Sequence, residues 1–178
     1  MVSRFLRPSA AALSLLTLSA CSTNSGPPAC PPVYILSDAN KLTKFRPGTG
    51  RDVTDVDVQA EIVGYHGDCK YEEKKDGGWT VDVSLQVSMD VKRGPANTSR
   101  TADLTYFVAM PAFYPTPQAK AEFPVTISFP EGTNLVHHVD DTVDLTFPIK
   151  AKEIIDKYEI YLGFQTTAEE LRYNRRTK

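Results

Sequence analysis

The longest regular pattern in the chain runs from Trp79 to Val91. Apolar residues fill every odd position (Trp79, Val81, Val83, Leu85, Val87, Met89 and Val91), and polar residues fill the even positions between them. A period of two puts successive side chains on opposite faces of a strand, so the segment reads as one long strand with one buried face. Its length predicts a bend or bulge near one end. Just upstream, Lys75-Asp76-Gly77-Gly78 has turn chemistry, because glycine and aspartate tolerate positive φ. Before that turn, Val56, Val58, Ala60 and Ile62 alternate in a segment reaching Tyr71. The two segments are expected to pair as an antiparallel hairpin, with Gly64 and Gly67 breaking or bulging the first arm.

Further alternating runs follow at similar intervals. Leu104–Val108 comes after the turn-rich 93–97 segment, and Phe123, Val125, Ile127 and Phe129 share one parity around Pro124, which points to an edge strand. Val143–Ile149 and Tyr158–Phe164 alternate again, and Val33–Leu36 supplies a first strand. About seven strands separated by Gly, Pro and Asn turns predict an all-β fold, an antiparallel two-sheet sandwich. The connection 150–157 leading into Tyr158 is similar to the tyrosine corner of immunoglobulin-like and fibronectin type III folds, where a hydroxyl bonds back to the preceding connection. Tyr158 also fits a plain core aromatic at a strand start. The chain ends differently. Thr167 and Glu170 form a capping box that opens a short C-terminal helix, and Arg175, Arg176 and Lys178 suit its C-terminus. Such a basic tail is solvated or touches anionic lipid headgroups.

The N-terminus adds a second kind of pattern. Arg4 and Arg7 precede an apolar stretch from Ala10 to Leu18, the layout of a secretory signal, and the stretch closes on Leu18-Ser19-Ala20-Cys21. This ending resembles the lipobox of bacterial lipoproteins. The resemblance implies cleavage before Cys21, acylation of its thiol (a palmitate-type anchor), and Cys21 as the new N-terminus. In the sorting pattern of that class, aspartate after the cysteine retains the protein in the inner membrane. Ser22 stands there instead, which implies the outer membrane, facing the periplasm. Four parts are therefore expected: a signal peptide at 1–20, a lipidated Cys with a Ser/Gly/Pro-rich tether at 21–32, a β-sandwich at 33–166, and a helix with a basic tail at 167–178. Beyond the N-terminal segment, no apolar run approaches the roughly 18 residues of a membrane span, so lipid is the expected membrane attachment.

Loss of residues 1–20 would remove Arg4 and Arg7 and no acid, moving the net charge from −2 to −4. A mildly acidic chain without a basic stripe argues against nucleic acid as a partner. With Cys21 acylated, Cys30 and Cys69 remain as an even pair in an oxidising compartment and are expected to form a disulfide. Because Cys30 precedes the first strand, this bridge is not expected to pin the two sheets as in antibody domains.

Candidate chemistry is sparse. His137 and His138 with Asp140 and Asp141 carry suitable metal-ligand types, but adjacent residues in a strand point to opposite faces, so a polar loop is expected and no metal. His66 near Asp68 reads as a structural residue in a glycine-rich bend, and Asp52, Asp55 and Asp57 as solvated faces. Asn97-Thr98-Ser99 matches a glycosylation acceptor, but a bacterial lipoprotein signal argues against glycosylation there. Nucleophile-elbow, zincin, P-loop and dinucleotide motifs are missing, so no catalytic residues or cofactor are assigned. One loop has interaction character. Met110–Pro117 holds Phe113 and Tyr114 between prolines, which either cap the core or contact a partner. The expected role is a non-enzymatic binding or accessory subunit of an envelope assembly, with an unknown envelope protein as partner. The alternative is a carbohydrate- or metal-binding module at the membrane surface.

Overall fold

A computed structural model describes residues 29–150 and 153–177. Among these residues the chain forms nine strands, β1 (Val33–Ile35), β2 (Lys41–Phe45), β3 (Val56–Glu73), β4 (Trp79–Arg93), β5 (Thr101–Ala109), β6 (Lys120–Ser128), β7 (Leu135–Val139), β8 (Val143–Ile149) and β9 (Ile160–Phe164), and one helix, α1 (Ala168–Arg176). They build an all-β fold of two sheets. The first sheet has the order β1-β9-β5-β6, with β1 parallel to β9 and the other neighbours antiparallel. The second has the order β2-β3-β4, and both β7 and β8 lie along the far edge of β4.

The alternation of β4 is the reason for this layout. Val81, Val83, Leu85, Val87, Met89 and Val91 are all buried, and they face Ala102, Leu104, Tyr106, Val108, Ile160, Leu162 and Phe164 from the first sheet within one continuous core. Each buried Val, Leu, Ile, Met or Phe among them contributes roughly 1.5–3 kcal/mol of burial. The hairpin turn forms as its composition predicts. The amide of Gly77, at φ 79°, donates to the Lys74 carbonyl at 3.0 Å, and the Asp76 carboxylate accepts from the Gly78 amide at 3.0 Å.

The predicted bend falls elsewhere. β4 stays regular, and its two neighbours take up the extra residues. Opposite β4, β3 passes from Ile62↔Met89 to Gly64↔Ser88, leaving Val63 as a bulge, as Gly64 suggested. On the other edge the register moves from Ser88↔Val139 to Leu85↔Val143, so β7 and β8 read as one run with one extra residue near Asp140. Both bulges meet β4 close to Ser88. Paired bulges at one level let a long ribbon twist without exposing the buried face of its central strand.

Two strands exceed the expected seven. β2 buries only Leu42 and Thr43 firmly, and β7 carries the two histidines, so neither shows the apolar alternation that marks the others. The last strand begins at Ile160, because 155–157 form a short 3-10 turn that ends on Tyr158. Asp55, expected on a solvated face, is buried instead. It pairs with the Arg46 guanidinium at 2.5 Å, and its carboxylate accepts from the Asp52 amide at 3.1 Å.

Edge strands are treated unequally. The α1 capping box is formed, with the Glu170 amide donating to Thr167 Oγ1 at 3.2 Å and the Thr167 amide to Glu170 Oε2 at 2.7 Å. This helix covers the β2 edge, where buried Asn174 donates to the Lys41 carbonyl at 2.6 Å and Tyr173 meets Phe45 edge-on at 5.1 Å. Arg175 is exposed and pairs with Asp38 at 3.0 Å. On β6, ladder bonds Met110→Ala119 and Phe129→Arg100 set the alternation, which turns Pro124 outward, where a missing N–H costs no bond.

Candidate functional site

The chain's entry into the fold is the most constructed feature. Tyr65, Gly67, Cys69 and Tyr71 alternate along one face of β3. Cys69 is disulfide-bonded to Cys30, with Cα atoms 5.7 Å apart and 39 residues between them in sequence. Tyr71 donates its hydroxyl proton to the Ala29 carbonyl at 2.6 Å, and Tyr65 donates to the Val33 carbonyl at 3.3 Å. Burial raises the Tyr71 pKa and so keeps that hydroxyl a donor. Gly67 has to be glycine, since a Cβ there would lie 2.6 Å from the Leu85 side chain and 2.9 Å from the Ser84 carbonyl. Residues 29–33 are therefore clamped at three points. Cys30 does precede the first strand, yet the bridge ties the lead-in of the first sheet to a strand of the second. An intersheet pin exists after all, because β3 extends far enough to reach it. Cys21 lies outside the described residues.

The Phe113 and Tyr114 pair divides. Phe113 closes one end of the core, with its ring 5.7 Å from Phe147 and 5.8 Å from Tyr158, while Phe147 and Tyr158 stack at 5.4 Å. Tyr114 is 82% exposed. The Tyr158 hydroxyl does bond back to the preceding connection, donating to the Glu153 carboxylate at 2.6 Å. Burial, with that carboxylate beside it, pushes the Tyr158 pKa up to about 12.

His137 and His138 lie on strand β7 and not in a loop, and they point to opposite faces. His137 Nδ1 sits 2.7 Å from Asp90 on the outer face, and His138 Nε2 lies 3.4 Å from Asp140. Asp140 also accepts from Tyr106, whose hydroxyl reaches across from the first sheet at 2.7 Å. Burial, then the Asp140 carboxylate, raises the Tyr106 pKa and keeps it protonated. Tyr106 stacks on Phe123 at 5.1 Å. The cluster is a tie between sheets. His66 sits exposed on β3, outside any bend. Among the described residues no group of three or more His, Cys, Asp or Glu could hold a metal ion. Asn97 is buried, with its amide donating to Asp57 and to the Thr101 carbonyl and its oxygen accepting from the Arg100 amide. A side chain so occupied is closed to a sugar in the folded state.

One surface was not legible in the sequence. Parallel pairing of β1 with β9 brings Tyr34 and Tyr161 together on the outer face of the first sheet, ring centroids 5.6 Å apart. Tyr34 is about half exposed, and Tyr161 donates to Glu159 at 2.5 Å. Farther along that face, Gly163 leaves room for the Phe107 ring, over which Lys120 Nζ lies at 4.8 Å. A hollow of about 250 Å³ between β2 and α1 is lined by Phe45, Arg51 and Tyr173. Arg51 is already paired with Glu169 at 2.8 Å there. Comparison of the chain with protein-family models, with curated proteins and with solved structures finds no match.

Proposed function

We propose that the chain is a lipid-anchored, non-enzymatic binding or accessory subunit of a bacterial cell-envelope assembly, held at the outer membrane through Cys21. The observation that carries this reading is the clamp on residues 29–33. It lies eight residues beyond the Leu18-Ser19-Ala20-Cys21 motif and fastens the end of the tether to both sheets. Eight residues of Ser/Gly/Pro-rich chain span roughly 25 Å at most, at about 3.1 Å per residue. A domain fixed this way works close to the headgroups and meets partners there. Two or more acyl chains, each contributing about 0.8 kcal/mol per buried CH₂, hold such a domain firmly. Metabolic labelling with an alkyne fatty acid in bacteria expressing the full chain tests the reading. Label is expected on the wild-type protein in the membrane fraction and none on Cys21→Ser. An unlabelled wild-type protein would refute the anchor.

A second reading, a carbohydrate-binding module, is favoured by the Tyr34 and Tyr161 rings lying side by side on an open sheet face with Glu159 at their rim. Exposed aromatic faces of this kind offer large apolar area at small entropy cost and match the apolar faces of pyranose rings. Retention on insoluble cell-wall glycan should then fall about tenfold or more in Tyr34→Ala with Tyr161→Ala. Failure of the wild-type protein to be retained would exclude that glycan as its ligand.

A further inference from the structure

The four sheet edges are not equivalent, and the difference points to a partner. Among the described residues, β2 is covered by α1, with Asn174 satisfying the Lys41 carbonyl. β1 has Tyr65 donating to its Val33 carbonyl, and β6 turns Pro124 outward. The remaining edge is the β7–β8 run. Its ladder bonds to β4 include Arg93→Asn134 and Asp140→Val87, so the even positions of β7 face β4 and the odd positions face away. Leu135, His137 and Val139 therefore present their backbone N–H and C=O groups to solvent. Leu135 and Val139 are also 59% and 50% exposed. β8 is guarded differently, since the same alternation turns Pro148, Thr146 and Asp144 outward, and an extra residue near Asp140 breaks its register with β7.

We propose that β7 pairs antiparallel with β7 of a second copy of this chain, around a two-fold axis at His137. The pattern of the strand is self-complementary in that register. Leu135 falls opposite Val139 of the second copy, Val139 opposite Leu135, and His137 opposite His137. A two-fold interface requires this match between a surface and itself. The three outward residues bring one donor and one acceptor each, so the pairing closes about six backbone hydrogen bonds. Two apolar cross-strand pairs flank the centre, where each imidazole is already turned to its own Asp90 at 2.7 Å. The result joins the second sheets of two copies into one continuous sheet. The contact is short and is expected to be weak between dilute chains. Anchoring both copies to one surface would raise their effective concentration. That last point rests on the anchoring reading, whereas the pairing itself does not.

Thiol trapping of the full chain tests the register. Opposed residues in a hydrogen-bonded pair have Cα atoms roughly 5.5 Å apart, within disulfide reach. Under mild oxidation in intact cells, His137→Cys should give a disulfide-linked dimer on a non-reducing gel. Leu135→Cys and Val139→Cys should stay at background when expressed singly, and give dimer again when expressed together. Adding Val139→Pro to His137→Cys should cut the dimer several-fold, because it removes an outward N–H while leaving the buried face intact. No dimer from His137→Cys, or equal dimer from all three single cysteines, would overturn the proposal. Either failure leaves fatty-acid labelling at Cys21 unaffected, so the two readings fail separately.

Discussion

Removal of the Cys30–Cys69 bridge, by Cys30→Ser together with Cys69→Ser, is expected to lower unfolding stability by about 4 kcal/mol, the chain-entropy value for a loop of this size. A domain of this length has on the order of 10 kcal/mol in all, so the variant should fold but unfold at much lower urea. The bridge acts mainly on the unfolded chain. It ties Cys30 to Cys69 on β3 across 39 residues and keeps that segment compact after the sheets separate. Without it, unfolding exposes more surface, and the slope of stability against urea should rise while the midpoint falls. Tyr71 and Tyr65 still offer their hydroxyls to residues 29 and 33, so the native fold should persist with a looser entry. Equilibrium urea unfolding of the two proteins measures both quantities. A change below about 1 kcal/mol would mean that the bridge does not constrain the unfolded chain.

How much of this was readable beforehand follows from how local each feature is. β4 could be read because its inner face is set residue by residue along a single segment, with Val81, Val83, Leu85, Val87, Met89 and Val91 all buried. Its partner arm and the turn at Gly77 are close in sequence and follow from it. The α1 cap was legible for the same reason, since Thr167 and Glu170 lie within one turn. Features made by distant segments were not. Whether Asp55 is solvated depends on Arg46 coming across to it, and Tyr34 meets Tyr161 only through the parallel pairing of β1 with β9. Cysteine parity identified the disulfide, but its intersheet role depended on β3 running 18 residues, past the bulge at Val63. Tyr106, the hydroxyl that ties the sheets, carries no local signal of that role, because Asp140 sits 34 residues away. The histidines on β7 hid a strand, since an edge with a polar face shows little alternation to count.

Phe164→Ala is expected to cost a similar amount, about 3–5 kcal/mol, by the opposite route. Phe164 is 1% exposed and ranks with Tyr106, its cross-strand partner in β5, among the largest fully buried side chains. Its amide donates to the Ala39 carbonyl at 2.7 Å, and that bond does not need the ring, so β9 should keep its place while its side chain is lost. What is left is a cavity between the sheets, whose lining loses its contacts and which the stiff β-branched and leucine neighbours fill only in part. The penalty falls on the native state. The urea midpoint should drop while the slope stays that of the wild type, because the unfolded chain, still cross-linked, is unchanged. Two variants of nearly equal instability are thus separated by the slope alone. If Phe164→Ala costs less than about 1 kcal/mol, the two sheets are not packed face to face at this position.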